Sequence, residues 1–246
     1  MKILITGCNG RMGQAVTRAV EAQATTEVGA GIDVGDSLPD GLAKCDAVID
    51  FTAHGFSSQL VQACVEGKKS LIMGTTGHTD AELAEIREAS KVIPIVHAPN
   101  FSVGVNTLFW LARKATEILG DDYDLEVVEM HHRDKTDSPS GTAKRLAEIL
   151  AEASGVSYEE QARHGRVGDV GARTKKEIGV HAVRGGDVVG DHTAMYAGLG
   201  ERLELTHKAS SRDTFAGGSV RAAAWLADKA PGLYDMEDVL GFREQS

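Results

Sequence analysis

Lys2-Ile3-Leu4-Ile5-Thr6-Gly7-Cys8-Asn9-Gly10-Arg11-Met12-Gly13 follows Met1, and its reading decides the fold. Lys2–Thr6 is a short aliphatic run of the kind that forms a buried strand. Gly7, Gly10 and Gly13 follow at three-residue spacing, and Val16 and Val20 continue with helical period. Strand, glycine turn and helix in that order are a variant of the dinucleotide fingerprint. Its glycines permit a tight turn, close approach of the backbone to a pyrophosphate, and close packing of helix on strand. A second strand, Glu27–Ile32, ends at Asp33, twenty residues beyond Gly13, where an acid would bond a ribose hydroxyl. A glycine turn alone is a weak sign, and Asp33 alone would suit a turn ahead of Gly35, Asp36 and Pro39. Together they favour nucleotide binding.

The alternation continues outward. Ala47–Phe51, Ser70–Met73 and Val92–Val96 read as strands, with helices at Ser57–Val65 and Asp80–Ala89. The fourth strand delivers Gly74-Thr75-Thr76-Gly77 to a strand's C-terminal edge, where open parallel sheets bind ligands. A Thr-capped turn is the plainer account of those four residues. The fifth strand leads into His97-Ala98-Pro99-Asn100-Phe101. Five strands alternating with helices make a doubly wound parallel sheet the economical fold for residues 1–100.

The pattern changes near Ser102. Val103–Leu119 is a long helix with no strand directly after it, and Tyr123–His131 opens a new sheet. Arg163–Lys176 reads as a long polar loop, which inside a domain is functional or mobile. Glu177–Arg184, Val188–Ala197 and Glu201–Ala209 alternate apolar and polar residues between glycine turns, the pattern of an antiparallel meander. Its outer face is wet or covered by another subunit. Arg212–Asp228 is a final helix that returns to the first domain. The expected architecture is α/β: a Rossmann-like doubly wound parallel sheet plus a second α+β domain with a mixed or antiparallel sheet. Residues 1–101 and 212–246 would form a dinucleotide-binding domain, and 102–211 a substrate-binding and oligomerisation domain.

Chemistry concentrates in Glu129-Met130-His131-His132-Arg133-Asp134-Lys135-Thr136-Asp137-Ser138-Pro139-Ser140-Gly141-Thr142-Ala143-Lys144. A strand leads in, and Leu146, Ile149 and Leu150 lead out with helical period, so a helix is expected to begin near Pro139. The N–H groups of Ser140, Gly141 and Thr142 would then face outward at a positive helix end suited to a carboxylate or phosphate. Lys135, His131 and His132 lie just upstream. A solvated loop before a capped helix accounts for the same residues without any chemistry.

With 246 residues, 42% hydrophobic and 25% charged, the chain has ordinary soluble-protein composition. A net charge of −10 argues against a nucleic-acid binder, though not against small anions. Cys8, Cys45 and Cys64 lack metal or redox spacing and read as small hydrophobes in a reducing compartment. No apolar stretch approaches the roughly 20 residues of a membrane helix, and the start leaves no room for a signal peptide. A cytoplasmic protein without membrane or metal partners is expected.

The Glu129–Ala143 stretch closely resembles the signature of the dihydrodipicolinate reductase family. Gly7–Gly13, Asp50-Phe51-Thr52, Gly74–Gly77, Ala98–Ser102 and His207-Lys208-Ala209-Ser210-Ser211-Arg212 match in order, so the resemblance spans the chain. It implies a nicotinamide-dependent reduction in the diaminopimelate and lysine pathway, on a homotetramer whose second domain forms the central sheet. The substrate is a cyclic dicarboxylate. Lys135 matches the family's proton donor and His131 its proposed acid–base residue. Lys135, His132, Ser140, Gly141 and Thr142 match substrate-binding positions. Gly7, Cys8, Asn9, Gly10, Arg11, Met12, Asp33, Phe51, Gly74, Thr75, Thr76, Ala98, Pro99, Asn100, Phe101 and Arg212 match cofactor positions. Many relatives place an Arg after the acid at position 33, where it meets the 2′-phosphate of NADP; here Val34 stands there. An acid without a neighbouring cation favours NADH, while Arg11 leaves room for NADPH, so dual use with mild NADH preference is expected. His131 and His132, adjacent on a strand end, should face opposite sides. Two competing readings are another two-domain dehydrogenase of an amino or oxo acid, and a sensor that binds NAD(H) without turnover.

Overall fold

The computed structural model describes residues 1–243. The first part of the chain runs β1 (Lys2–Thr6), α1 (Arg11–Glu21), β2 (Glu27–Ile32), α2 (Leu38–Leu42), β3 (Ala47–Asp50), α3 (Ser57–Gly67), β4 (Ser70–Met73), α4 (Asp80–Ala89) and β5 (Pro94–His97). Next come α5 (Val103–Leu119), β6 (Asp124–His131), α6 (Gly141–Ala153), α7 (Tyr158–Gln161), β7 (Ala162–His164), β8 (Ile178–Arg184), β9 (Gly190–Ala197) and β10 (Arg202–Ala209). Then α8 (Asp213–Leu226), β11 (Gly232–Tyr234) and α9 (Met236–Leu240) follow. The chain divides into two compact units, Met1–Val103 with everything from Arg212 onward, and Gly104–Ser211.

The first unit is a six-stranded parallel sheet of order β11-β5-β4-β3-β1-β2. β1, β3 and β4 have aliphatic centres, Ile3-Leu4-Ile5, Ala47-Val48-Ile49 and Leu71-Ile72-Met73, because helices cover both faces. One apolar layer packs Ile3, Ile5 and Ile49 against Val16, Val20, Val220 and Leu226 of α1 and α8. The other packs Leu4, Val48 and Leu71 against Leu60, Cys64 and Ile86 of α3 and α4. Each such side chain contributes about 1.5–3 kcal/mol when fully buried. Strand order reverses between β1 and β3, so the glycine turn after β1 lies at the crevice where such sheets take ligands. A sixth strand, β11, adds an edge that the sequence did not suggest.

In the second unit the sheet order is β10-β9-β6-β8-β7. It is mixed: β6 pairs parallel with β8 and antiparallel with β9. The expected meander is therefore wrong in one place. β8 and β9 are not a hairpin; residues 185–189 cross the end of β6, and that strand's last groups hold the crossing. Gly185 N–H donates to His131 O, Arg133 N–H to Gly186 O, and His132 N–H to Val188 O, at 2.8–3.2 Å. The long loop is shorter than expected, because Ala162–His164 pairs with β8. Arg166 and Arg173 pin the remainder, bonding Glu126 at 2.7 and 3.1 Å.

Alternation in β6 places Leu125, Val127, Glu129 and His131 on the buried face. There α5 and α6 supply Leu108, Ala112, Leu146 and Leu150. The opposite face is half-exposed and carries Val128, Met130, Thr193 and Met195.

Candidate functional site

In the first unit, β1 ends at Thr6 and the chain turns through Gly7, whose φ of +62° favours glycine. A Cβ on Gly13 would lie 2.2 Å from Gly7 O, so the helix can approach the turn only without one. Gly10 caps α1 with no side-chain bond, leaving the first-turn amides to a ligand. Asp33 is bound to this turn: Asn9 N–H donates to its Oδ2 at 3.0 Å and Val34 N–H to its Oδ1 at 2.8 Å. The Val34 and Asn9 amides hold its carboxyl below the usual carboxylate range.

Beside Asp33 lies a cavity of about 580 Å³, lined among others by Gly7, Val34, Asp36, Thr52 and Phe56, and, among the described residues, by no Lys or Arg. That volume is within the common range of about 300–1,000 Å³ for small-molecule sites. A bare helix start, a glycine turn and an acid fixed beside a nucleoside-sized cavity fit a dinucleotide.

Of the expected cofactor positions, Gly7 and Asp33 line this cavity. Cys8, Asn9, Gly10, Arg11 and Met12 form the turn and helix start; Asn9, Gly10 and Arg11 are exposed. Phe51 stacks edge-on against buried Phe101, ring centroids 5.6 Å apart. A Cβ on Gly74 would strike the Phe51 ring at 2.1 Å, which explains the glycine after β4. Thr75 and Ala98 are buried, Thr76 and Pro99 exposed, and Asn100 Oδ1 accepts from Ser102 N–H at 2.8 Å. Exposed Arg212 is the residue before α8.

Asp50, in sequence only one member of the Asp50-Phe51-Thr52 motif, ties these pieces together. Fully buried, it accepts hydroxyl bonds from Thr6 at 2.6 Å, Thr52 at 2.7 Å and Thr75 at 2.5 Å. The ends of β1, β3 and β4 thus share one carboxylate.

The second unit gathers the other candidates around Glu129, also fully buried. Its Oε2 meets His131 Nδ1 at 2.6 Å, and Arg184 grips both oxygens at 2.8 and 2.9 Å. Ser140 N–H donates to Oε1 at 3.1 Å. Arg184 also donates to Asp137 O at 2.9 Å, and the Asp137 carboxylate pairs with Lys135 Nζ at 2.8 Å. Lys135 holds the Asp137 carboxyl below its ordinary range. Burial alone would raise Glu129, but Arg184, His131 and the Ser140 amide outweigh it and keep the group ionised.

Ser140 Oγ accepts from Ala143 N–H at 3.1 Å and bonds His192 Nε2 at 3.0 Å. Burial first, then His131, lowers His192 to about 4. Among the described residues its buried Nδ1 has no partner. The His131 and His192 rings meet edge-to-face, centroids 5.1 Å apart.

Two expectations change here. The helix begins at Gly141 with Ser140 as N-cap, because the Ser140 side chain caps the first turn; Pro139 stands outside it. The Ser140 amide faces inward to Glu129, not outward, so the outward reading passes to exposed Gly141 and half-buried Thr142. His131 is buried and His132 half-exposed, as expected for strand neighbours, and none of the Glu129 bonds given above comes from His132. Arg184 and His192 were missed. Only His192 had a readable signal, since it falls in the buried phase of β9 with Ala194 and Tyr196; Arg184 is the cross-strand partner of His131, a pairing no local pattern reveals.

Among the described residues no three of His, Cys, Asp and Glu are grouped as metal ligands, and no helix is long and apolar enough to cross a membrane.

The family description "Dihydrodipicolinate reductase, N-terminus" matches residues 1–101, and "Dihydrodipicolinate reductase, C-terminus" matches 104–240. A 4-hydroxy-tetrahydrodipicolinate reductase of Akkermansia muciniphila is 58% identical across 99% of both chains. One from Geobacter metallireducens is 45% identical over 99% of this chain and 100% of its own. A dipicolinate-bound dihydrodipicolinate reductase from Paenisporosarcina sp. TG-14 superposes with a TM-score of 0.80 at 25% identity, covering 97% of this chain and 98% of that one. With both halves matched in order along nearly its whole length, the chain belongs to the dihydrodipicolinate reductase family.

Proposed function

We propose that this protein reduces 4-hydroxy-tetrahydrodipicolinate to tetrahydrodipicolinate with NAD(P)H, in diaminopimelate and lysine biosynthesis in the cytoplasm. The observation that carries the reading is full-length identity of 58% to a named reductase, joined to an intact cluster of His131, Lys135 and the α6 start. The balanced reaction takes one hydride and one proton into the substrate and releases water.

The first unit holds the dinucleotide, with its pyrophosphate on the Gly7–Met12 turn and a ribose hydroxyl on Asp33. When bound, the reduced nicotinamide supplies the hydride. The proton comes from the acid–base pair His131 and Lys135, with Asp137 keeping the Lys135 ammonium in place. Gly141 and Thr142, at the positive end of α6, hold a substrate carboxylate, with His132 beside them. NADH is mildly preferred: the cavity beside Asp33 offers a 2′-phosphate no cation, and Asp36 adds a second acid. Arg11 leaves NADPH usable.

The half-exposed sheet face carrying Val128, Met130 and Met195 supports a homotetramer built on the second unit's sheet.

The test is loss of reduced-nicotinamide absorbance, with substrate generated in place from pyruvate and aspartate semialdehyde by the preceding synthase. Oxidation should require the complete mixture. Lys135→Ala should lower kcat on the order of 10²-fold or more while leaving NADH affinity nearly unchanged. No oxidation despite intact cofactor binding would move the protein to another substrate or to sensing, and equal losses of turnover and affinity would remove Lys135 as donor.

A further inference from the structure

We infer that Glu129, gripped by Arg184, is a positioning residue that fixes which nitrogen of His131 handles protons. The inference rests on the acid–base reading of His131 given above.

The argument begins with hydrogen-bond supply. An ionised carboxylate can only accept. Four donors converge on Glu129: two from Arg184, the Ser140 amide and the His131 ring. The ring nitrogen facing the carboxylate is Nδ1, so Nδ1 carries hydrogen and Nε2 is left for the substrate. The paired guanidinium keeps Glu129 charged, and a charged acceptor binds an imidazole N–H about twice as strongly as a neutral one.

The opposite side of the ring agrees. A Cβ on Gly190 would stand 2.9 Å from His131 Nε2 and 3.3 Å from Cδ2. β9 therefore leaves its side chain off where the working nitrogen sits. The imidazolium gives its Nε2 proton to the substrate and becomes the Nδ1–H imidazole. The N–H bond at Nε2 breaks, its electron pair stays on nitrogen, and Glu129 remains an anion throughout.

Glu129 also fixes more than the ring. Through the Ser140 amide it holds the start of α6, and through Arg184 and Asp137 O it holds the loop that carries Lys135. A buried ion pair kept only for stability would need neither connection. It would also be indifferent to the tautomer of His131.

Wild-type protein labelled with ¹⁵N-histidine provides the first test. The His131 ring signals, assigned by their loss in His131→Gln, should show an Nδ1–H tautomer when neutral. Glu129→Gln places an amide N–H among the four donors, so the ring should lose that preference. Its kcat should fall on the order of 10²-fold, the scale of one positioned acid–base group, with KM changed by less than about threefold. Glu129→Asp, which keeps the charge, should recover part of the loss. Gly190→Ala should cut kcat while leaving the Nδ1–H tautomer in place.

An Nε2–H ring in the wild type would overturn the positioning by Glu129, and that measurement needs neither Glu129 variant to fold. So would full kcat in Glu129→Gln. Undiminished turnover in His131→Gln would instead overturn the acid–base reading on which the inference rests.

Discussion

The backbone N–H of Asn9 donates to Oδ2 of Asp33 at 3.0 Å, so the glycine turn after β1 and the acid after β2 are one structure. The turn preorganises the carboxylate, and the carboxylate in turn fixes a turn amide. The other Asp33 oxygen is taken by Val34 N–H, while Asp36 Oδ2 accepts from Asp33 N–H at 2.8 Å. Val34 itself is fully exposed at the edge of the cavity.

That exposure makes position 34 a direct test of cofactor choice. Val34→Arg adds a guanidinium without disturbing packing. The NADPH:NADH ratio of kcat/KM should rise about tenfold or more, the scale of one charge-assisted hydrogen bond. Steady-state rates with both cofactors would measure it, and an unchanged ratio would show that the cavity beside Asp33 does not receive the 2′ position.

Asp50 should matter for cofactor affinity although it lies fully buried. Asn at this position has one acceptor oxygen for three threonine hydroxyls, and each orphaned buried hydroxyl costs about 1–3 kcal/mol. Asp50→Asn is expected to lower the melting temperature and to weaken NADH binding severalfold as the three strand ends loosen. Fluorescence titration of NADH would report this. A variant that is less stable but binds NADH as before would confine Asp50 to the core.

The sequence made much of this legible, and the failures are informative. β1, α1 and β2 could be read because buried strands, helical period and glycine spacing are local signals. The three residues of β11 carry too little pattern to mark an edge strand. The β8–β9 error has a different origin. Period-two alternation tells which face a residue takes, not which strand lies beside it, so nothing local revealed β6 between them. The same limit hid the pairing of His131 with Arg184. His192 was more accessible, since a polar residue in the phase of Ala194 and Tyr196 needs an explanation.

Acid sensitivity should follow His192. Its folded value is lowered to about 4 from an ordinary 6.5, chiefly by burial, so the unfolded chain binds a proton that the native state refuses. The stabilisation is complete above pH 6.5 and is lost as pH falls toward 4, amounting to no more than about 3 kcal/mol. Glu126, held at about 2 against burial by Arg166, His181 and Arg173, adds a second loss as pH falls from 4.5 toward 2. Denaturation midpoints between pH 7 and 4 should decline in the wild type and flatten in His192→Gln. Parallel slopes would assign the upper window to other groups.

The crossing of residues 185–189 over the end of β6 has a consequence for the twin histidines. Because side chains alternate strictly along a strand, a slip of β6 by one residue would exchange His131 for His132 on every face of the sheet. An edge strand or a terminal hairpin would leave such a slip weakly opposed. Here β6 is flanked on both sides, and its last amides and carbonyls are stapled to the crossing chain. Two chemically identical neighbours thereby acquire separate identities from the weave of the sheet, not from their own side chains.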